Sequence, residues 1–353
     1  MKKCWIQFGV TLAVLLVCVC GFIFLIDPLY YYHAPTAGTS VYLHNQVYQT
    51  EGAARYFTYD SAIVGTSMTE NFRASWLDEM GLHASKLSYA GARTVDLRTV
   101  LDAVYESKND VKFIIMDVND YQLTGDPDAT FVGESDGSYG DGVLSGAEYF
   151  LNNDVFWMSV GRTAEAVTGR QPDPDEAFTW EDPELFSEEA VKNDCRELIS
   201  SFQWKKQQGL LTPMNLEEML QTCDENMDNV LPVIEAHPET QFAVFYPPYS
   251  ILYWQEQIVQ DGLEEMLEVY RHSIERLLEY ENVQVYYFQD EEEIITTLNN
   301  YRDVCHHNPQ INRYMFECIR DGKNLITEEN LDSRIQNMNR IASEYPYDSI
   351  WDE

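Results

Sequence analysis

From Trp5 to Ile26 the chain is apolar apart from Gln7, Thr11 and glycines. A helix rising 1.5 Å per residue over that run is long enough to cross a hydrocarbon core of about 30 Å. Lys2 and Lys3 precede it, so the positive-inside rule keeps the N-terminus in the cytosol and places the rest of the chain outside the cell membrane. Tyr30, Tyr31 and Tyr32 follow it, and aromatic rings suit the outer interface. A cleavable signal peptide is the rival reading, but it has a shorter apolar core ending in small residues. A lipoprotein signal at Cys18 or Cys20 would need a small residue where Val17 and Val19 stand. The expectation is an uncleaved single-pass anchor over residues 1–28, a polar, Tyr-rich linker over 29–44, and an extracytoplasmic body over 45–350.

That body carries nearly all of a net charge of −36, since only Lys2, Lys3 and Asp27 are charged before residue 30. Such a surface repels nucleic acid and anionic lipid, so neither is an expected partner. The hydrophobic fraction of 45% is that of a globular chain with a sizeable core, not a disordered one.

Along the body, short apolar runs alternate with helical patterns. Asn45 to Phe57 reads as a helix, Ser61 to Val64 as a buried strand, and Ser67 to Met80 as a helix. Ser85 to Tyr89 and Val111 to Met116 read as strands flanking a helix from Arg93 to Ser107. Residues 120–236 break the rhythm with a Gly/Asp-rich loop from Gly125 to Gly142. Helical stretches follow near 146–168, 186–208 and 215–236. Strands return at Gln241 to Tyr246 and Val283 to Phe288, with a helix from Leu263 to Tyr280 between them and two more near 309–321 and 327–344. Strands that alternate with helices, the buried ones reading as continuous apolar runs, predict a mostly parallel sheet covered on both faces. The expected fold is therefore a three-layer α/β/α domain with a helical insertion at about 120–236. Its ligand site lies beyond the carboxyl ends of the strands.

Four segments at that edge could carry chemistry. Gly65-Thr66-Ser67 follows the first strand, so a tight turn there places the Ser67 hydroxyl at the edge, beside backbone N–H donors; a plain helix cap is the alternative. Asp303-Val304-Cys305-His306 follows the last strand, and only His306 among the seven histidines has Asp at −3. That spacing lets a carboxylate hold one imidazole nitrogen while the other activates a serine. His307 is the neighbouring candidate base. Asn119, in Asp117-Val118-Asn119-Asp120, could offer an amide to an oxyanion, or simply form a turn. Gly91, after Ser88-Tyr89-Ala90, could offer a backbone N–H.

In chain order these segments resemble the SGNH (GDSL-like) hydrolase superfamily, whose blocks carry Ser, Gly, Asn and an Asp-x-x-His pair. Thr66 stands where the name-giving motif has Asp, and Asp117 where the third block has Gly. The anchor ending in Asp27-Pro28, the stretch from Gly65 to Phe72, and Tyr246-Pro247-Pro248-Tyr249-Ser250 look like the membrane-bound SGNH proteins of Gram-positive bacteria. Those are similar in turn to exported alginate-acetylation and teichoic-acid D-alanylation proteins. The resemblance implies a flavodoxin-like sheet and a Ser67–His306–Asp303 triad. It implies an oxyanion hole from Ser67, Gly91 and Asn119, and no metal or organic cofactor. The reaction would be ester hydrolysis or O-acyl transfer on an acylated cell-surface polysaccharide or teichoic-acid-like polymer, with a multipass membrane acyltransferase as a possible partner. A non-catalytic accessory protein on the same fold, or an adhesive surface protein, are the rival readings.

Three further features need placing. Phe156, Trp157, Trp204, Tyr249, Tyr253 and Trp254 could stack on sugar rings or fill the core. Asp290-Glu291-Glu292-Glu293 reads as a solvated helix start. Cys195 and Cys223 lie equally far from Gly209 in a helix–turn–helix reading, which allows a disulfide; Cys305 and Cys318 are worse placed for one, and four free buried thiols are the alternative.

Overall fold

The protein is described by a computed structural model over residues 2–36, 41, 43, 45–134, 146–170 and 173–351. It is an α/β protein built on one mixed six-stranded sheet. The strands are β1 (Ser61–Gly65), β2 (Ala84–Ser88), β3 (Phe113–Asp117), β4 (Gln241–Tyr246), β5 (Val283–Tyr287) and β6 (Leu325–Ile326). They lie in the order β2-β1-β3-β4-β5-β6. The first five are parallel, with Ser61 opposite both Ala84 and Phe113. The sheet is mostly parallel, as expected, and is mixed because β6 runs antiparallel on β5, pairing Ile326 with Val285. A two-residue edge strand has no periodicity to read, which is why the sequence does not reveal it.

Alternate strand residues feed two cores. Ala62, Val64, Ile114, Met116 and Val244 point into the larger, under the helices Thr94–Glu106, Leu263–Leu278 and Leu331–Glu344. Ile63, Ile115, Ala243 and Phe245 point into the smaller, against Ile311, Met315 and Phe316 of the helix Pro309–Asp321. Burial on both faces is what makes these strands continuous apolar runs.

The segment after β1 is not one helix. It forms 3-10 turns at Ser67–Thr69 and Ala74–Met80. Thr66 and Thr69 side chains bond locally to backbone, and the main-chain oxygen of Glu70 is taken by Lys86, so the backbone groups a helix would use have other partners. A helix not assigned from sequence runs Ile251–Val259. It is buried almost all round, so it lacks the one-sided apolar stripe that marks a surface helix.

The insertion comprises the helices Ala147–Leu151, Asn153–Thr168, Glu188–Gln207, Leu216–Met227 and Leu231–Ala236. Part of the Gly/Asp-rich loop at 125–142 lies outside the described residues. Helices Glu188–Gln207 and Leu216–Met227 do not pair as an antiparallel hairpin. The first packs on Ile251–Val259 and the second on Leu263–Leu278. Cys195 and Cys223 are accordingly free buried thiols, and the bridge allowed by their spacing is absent. The turn between two helices sets their order, but separate tertiary partners pull them apart.

The helix Lys2–Ile26 is long and apolar enough to cross a membrane. The segment after it is not a loose tether at its start. Asp27, buried at φ 44°, accepts the N–H groups of Tyr31, Tyr32 and His33 at 3.1, 2.7 and 3.0 Å and the Tyr149 hydroxyl at 2.6 Å. Arg162 and Gln49 donate to the Pro28 carbonyl. A Cβ at Gly52 would sit 2.4 Å from the Tyr30 carbonyl oxygen, so only glycine lets the two segments touch.

Candidate active site

β1 delivers Ser67 to the carboxyl edge of the sheet. The loop 301–307 brings His306 to it. This loop is closed by a bridge between Tyr301 and His307 and by Arg302 N–H on the His306 carbonyl. It is seated on the Pro-Pro-Tyr-Ser segment after β4, where Tyr301 OH donates to Pro248 O at 3.0 Å and Ser250 N–H to Val304 O at 2.9 Å.

Ser67 Oγ lies 2.7 Å from His306 Nε2, and His306 Nδ1 lies 2.7 Å from Asp303 Oδ2. The other Asp303 oxygen accepts the backbone N–H groups of Cys305 at 2.9 Å and His306 at 2.6 Å. Burial alone would raise the Asp303 pKa. The hydrogen bonds and charge of His306, with those N–H groups, outweigh burial and hold it below the usual carboxylate range. The carboxylate thus stays ionised and orients the ring. His307 is different. It is fully buried, and burial drives its pKa down to about 4. The imidazole that meets Ser67 is that of His306, not His307.

Gly91 and Asn119 are less alike than the sequence suggests. Gly91, at φ 73°, follows β2 as Ser67 follows β1, and the two strands are neighbours, with Gly65 opposite Ser88. Among the described residues, neither Ser67 N–H nor Gly91 N–H donates to a protein acceptor. Asn119 is fully buried and its amide is committed. Its NH2 donates to Thr66 Oγ1 at 2.9 Å and to Asp117 Oδ2, while its oxygen accepts from Tyr249 OH at 2.7 Å. Asp117 also takes Thr66 N–H at 2.8 Å and Thr66 OH at 2.6 Å. Burial raises its pKa against those bonds. Asp117 and Asn119 therefore brace the turn that carries Ser67, from behind it.

No protein-family model matches the sequence, and no curated protein matches it.

The site also contains residues not singled out from the sequence. Trp180, from the insertion, meets the His306 ring edge-on at 5.5 Å, and the Arg302 guanidinium lies over its face at 5.2 Å. Trp180 Nε1 donates to Glu70 at 2.6 Å, and its backbone N–H donates to Asn71 Oδ1 at 3.0 Å. Burial raises the Glu70 pKa despite hydrogen bonds from Gln46 and Trp180. Lys86 holds this strap down. Its buried Nζ donates to the carbonyls of Glu70, Asp175 and Ala177 at 2.9, 3.0 and 2.9 Å. Burial lowers its pKa to about 8 against the charges of Asp175 and Glu70. The mark of it in the sequence is Lys86 itself, a charged residue inside a segment that reads as a strand.

The aromatic residues named from sequence divide. Tyr249, Tyr253 and Trp254 are core, whereas Trp157 and Trp204 are exposed. The acidic run is not wholly solvated, because Asp290 is buried and holds Arg334 Nε and Nη2 at 2.7 and 2.6 Å. Among the described residues, no three His, Cys, Asp or Glu side chains group as metal ligands.

Proposed function

We propose that this chain is a membrane-anchored, extracytoplasmic serine esterase or O-acyltransferase of the SGNH type, acting on acyl esters of cell-surface glycans or polyol polymers. The observation that carries the reading is the relay Ser67–His306–Asp303, two 2.7 Å contacts in line from an edge-of-sheet serine to an ionised carboxylate. A cap serine has no reason to sit on an imidazole that is itself held by a carboxylate.

Ser67 Oγ attacks the acyl carbonyl as its proton passes to His306 Nε2. Asp303 keeps the Nδ1–H tautomer in place and supports the imidazolium. The unbonded N–H groups of Ser67 and Gly91 are the donors for the oxyanion. As the tetrahedral adduct collapses, the C–O bond to the alcohol breaks and the alcohol leaves with the Nε2 proton. Water or a sugar or polyol hydroxyl then attacks the acyl-serine, with His306 again taking the proton. Trp180 walls the base, and Asn119 acts through the Thr66 turn. A multipass membrane acyltransferase would be the acyl donor's source in the transferase form.

The test is labelling of the full chain in membranes with a fluorophosphonate, alongside turnover of a model acetyl ester. Wild type should label at Ser67. Ser67→Ala and His306→Ala should each abolish labelling and turnover, and the double variant should be no worse, because the residues act as a unit. Labelling that persists in Ser67→Ala overturns the Ser67 assignment, and an unlabelled but folded wild type moves the chain to the accessory reading.

A further inference from the structure

The body meets the apolar N-terminal helix through one piece of the insertion, the helices Ala147–Leu151 and Asn153–Thr168. Ile23 is buried with Tyr149 and Val155, and Phe22 meets the Phe156 ring at 6.2 Å. Further along, Arg162 donates to Pro28 O at 3.0 Å and lies over the Tyr30 ring at 4.9 Å. As Asn153–Thr168 advances from Phe156 to Arg162, its partners advance from Phe22 to Tyr30. The two helices therefore run in the same sense, and the Phe156 end lies nearer the middle of the apolar helix.

That end leaves large apolar side chains uncovered. Leu151 is 64% exposed and Trp157 60% exposed. Tyr32, next to Phe24, stacks on Phe150 at 5.4 Å, and Phe24 and Leu25 are themselves exposed. The spacing of the aromatic residues matches a bilayer. Trp5 and Phe22 are seventeen residues apart, about 26 Å on a helix, against a hydrocarbon core of about 30 Å. With Trp5 at one interface, Phe22, Phe24, Tyr32, Leu151 and Trp157 fall together at the other, where aromatic belts settle. Exposed Glu148 and Asp154 on the same segment limit the depth to the headgroup level, since neither carboxylate can enter the hydrocarbon unpaired. The locked Asp27–Tyr30 junction prevents the body from swinging this face away.

We infer that residues 147–158 are a lipid-docking surface, with Leu151 and Trp157 seated in the outer headgroup layer beside the anchor, so that the body is held in one orientation on the bilayer. The inference rests on the reading of the first helix as a membrane span. It is independent of the chemistry at Ser67.

The test uses the full chain in phosphatidylcholine vesicles, with Cys4, Cys18, Cys20 and Cys305 replaced by serine, the buried Cys195, Cys223 and Cys318 left in place, and one added cysteine at Leu151→Cys, Trp157→Cys or Val167→Cys carrying an NBD fluorophore, the parent without an added cysteine serving as the labelling blank. Val167, 82% exposed, lies about 15 Å beyond Trp157 on the same helix and serves as the aqueous reference. Expected are blue-shifted emission and quenching by headgroup-nitroxide lipid at 151 and 157, with quenching by aqueous iodide at 167. Flotation of the cysteine-replaced parent with the vesicles is read separately. If it floats and 151 and 157 are as open to iodide as 167, docking is overturned and the anchor stands. If it does not float, the anchor reading fails and docking with it. Shielding of 151 and 157 in native membranes but not in pure lipid would mean that a protein covers this face, which also overturns the inference.

Discussion

Asp117 occupies the space a side chain on Gly65 would need. A Cβ built on residue 65 lies 1.9 Å from Asp117 Oδ1, and 2.6 Å from Thr69 Cγ2. The glycine that opens the serine turn and the carboxylate at the end of the next strand are therefore one feature. It follows that Gly65→Ala should destabilise the fold by about 1–3 kcal/mol through overpacking. Combining it with Asp117→Gly should cost less than the sum of the two changes, because the first clash is then removed. Chemical denaturation of the three variants measures this, and strict additivity would separate the two residues.

Asn119→Ala distinguishes bracing from direct catalysis. A donor that only met the oxyanion could be removed at a cost in kcat of about 10²–10³ with no change in melting temperature. Here its loss takes a buried donor from Thr66 and Asp117 and the acceptor from the Tyr249 hydroxyl. The expected result is a lowered Tm together with a lowered kcat. A lowered kcat at unchanged Tm would return Asn119 to the oxyanion.

Lys86→Met should loosen the strap that carries Trp180. Three carbonyls lose their donor at once. Proteolysis at 173–187 should accelerate and ester turnover should fall, while the relay of Ser67, His306 and Asp303 remains chemically whole. An unchanged cleavage pattern would mean that the strap is held by Arg73–Glu181 and Trp180 alone.

Glu256 gives a pH dependence with a definite sign. Burial, with the charges of Asp194 and Asp120, raises its pKa to about 8 from an ordinary 4.5. The folded state then binds a proton that the unfolded state releases, so this residue removes stability as pH rises from 4.5 to 8. Glu256→Gln should raise Tm relative to wild type at pH 8 and above, and the gain should vanish near pH 4.5. Equal gains at both pH values would contradict the buried-charge account.

The thiols Cys195 and Cys223 should stay reduced. Peptide mapping without reductant should show no crosslink between them, and both should alkylate only after unfolding. A Cys195–Cys223 crosslink in the purified chain would require helices that here pack elsewhere to meet.

Local chemistry along the chain determined much of this protein. Continuous apolar runs specified β1, β3 and β4, because a strand buried on both faces has no polar side to show. The Asp303-x-x-His306 spacing placed a carboxylate and an imidazole on one turn, and the apolar run from Trp5 to Ile26 specified a helix of membrane-spanning length. Tertiary contacts decided the rest. That Ser67 meets His306 across 239 residues depends on the sheet order, which no local pattern encodes. Whether Asn119 faces the serine or the core was settled by Thr66 and Asp117, which take both of its amide contacts. The Trp180 strap and the antiparallel β6 have no periodicity, so nothing before folding marks them. The bridge allowed by equal spacing at Cys195 and Cys223 is absent because Glu188–Gln207 packs on Ile251–Val259 while Leu216–Met227 packs on Leu263–Leu278.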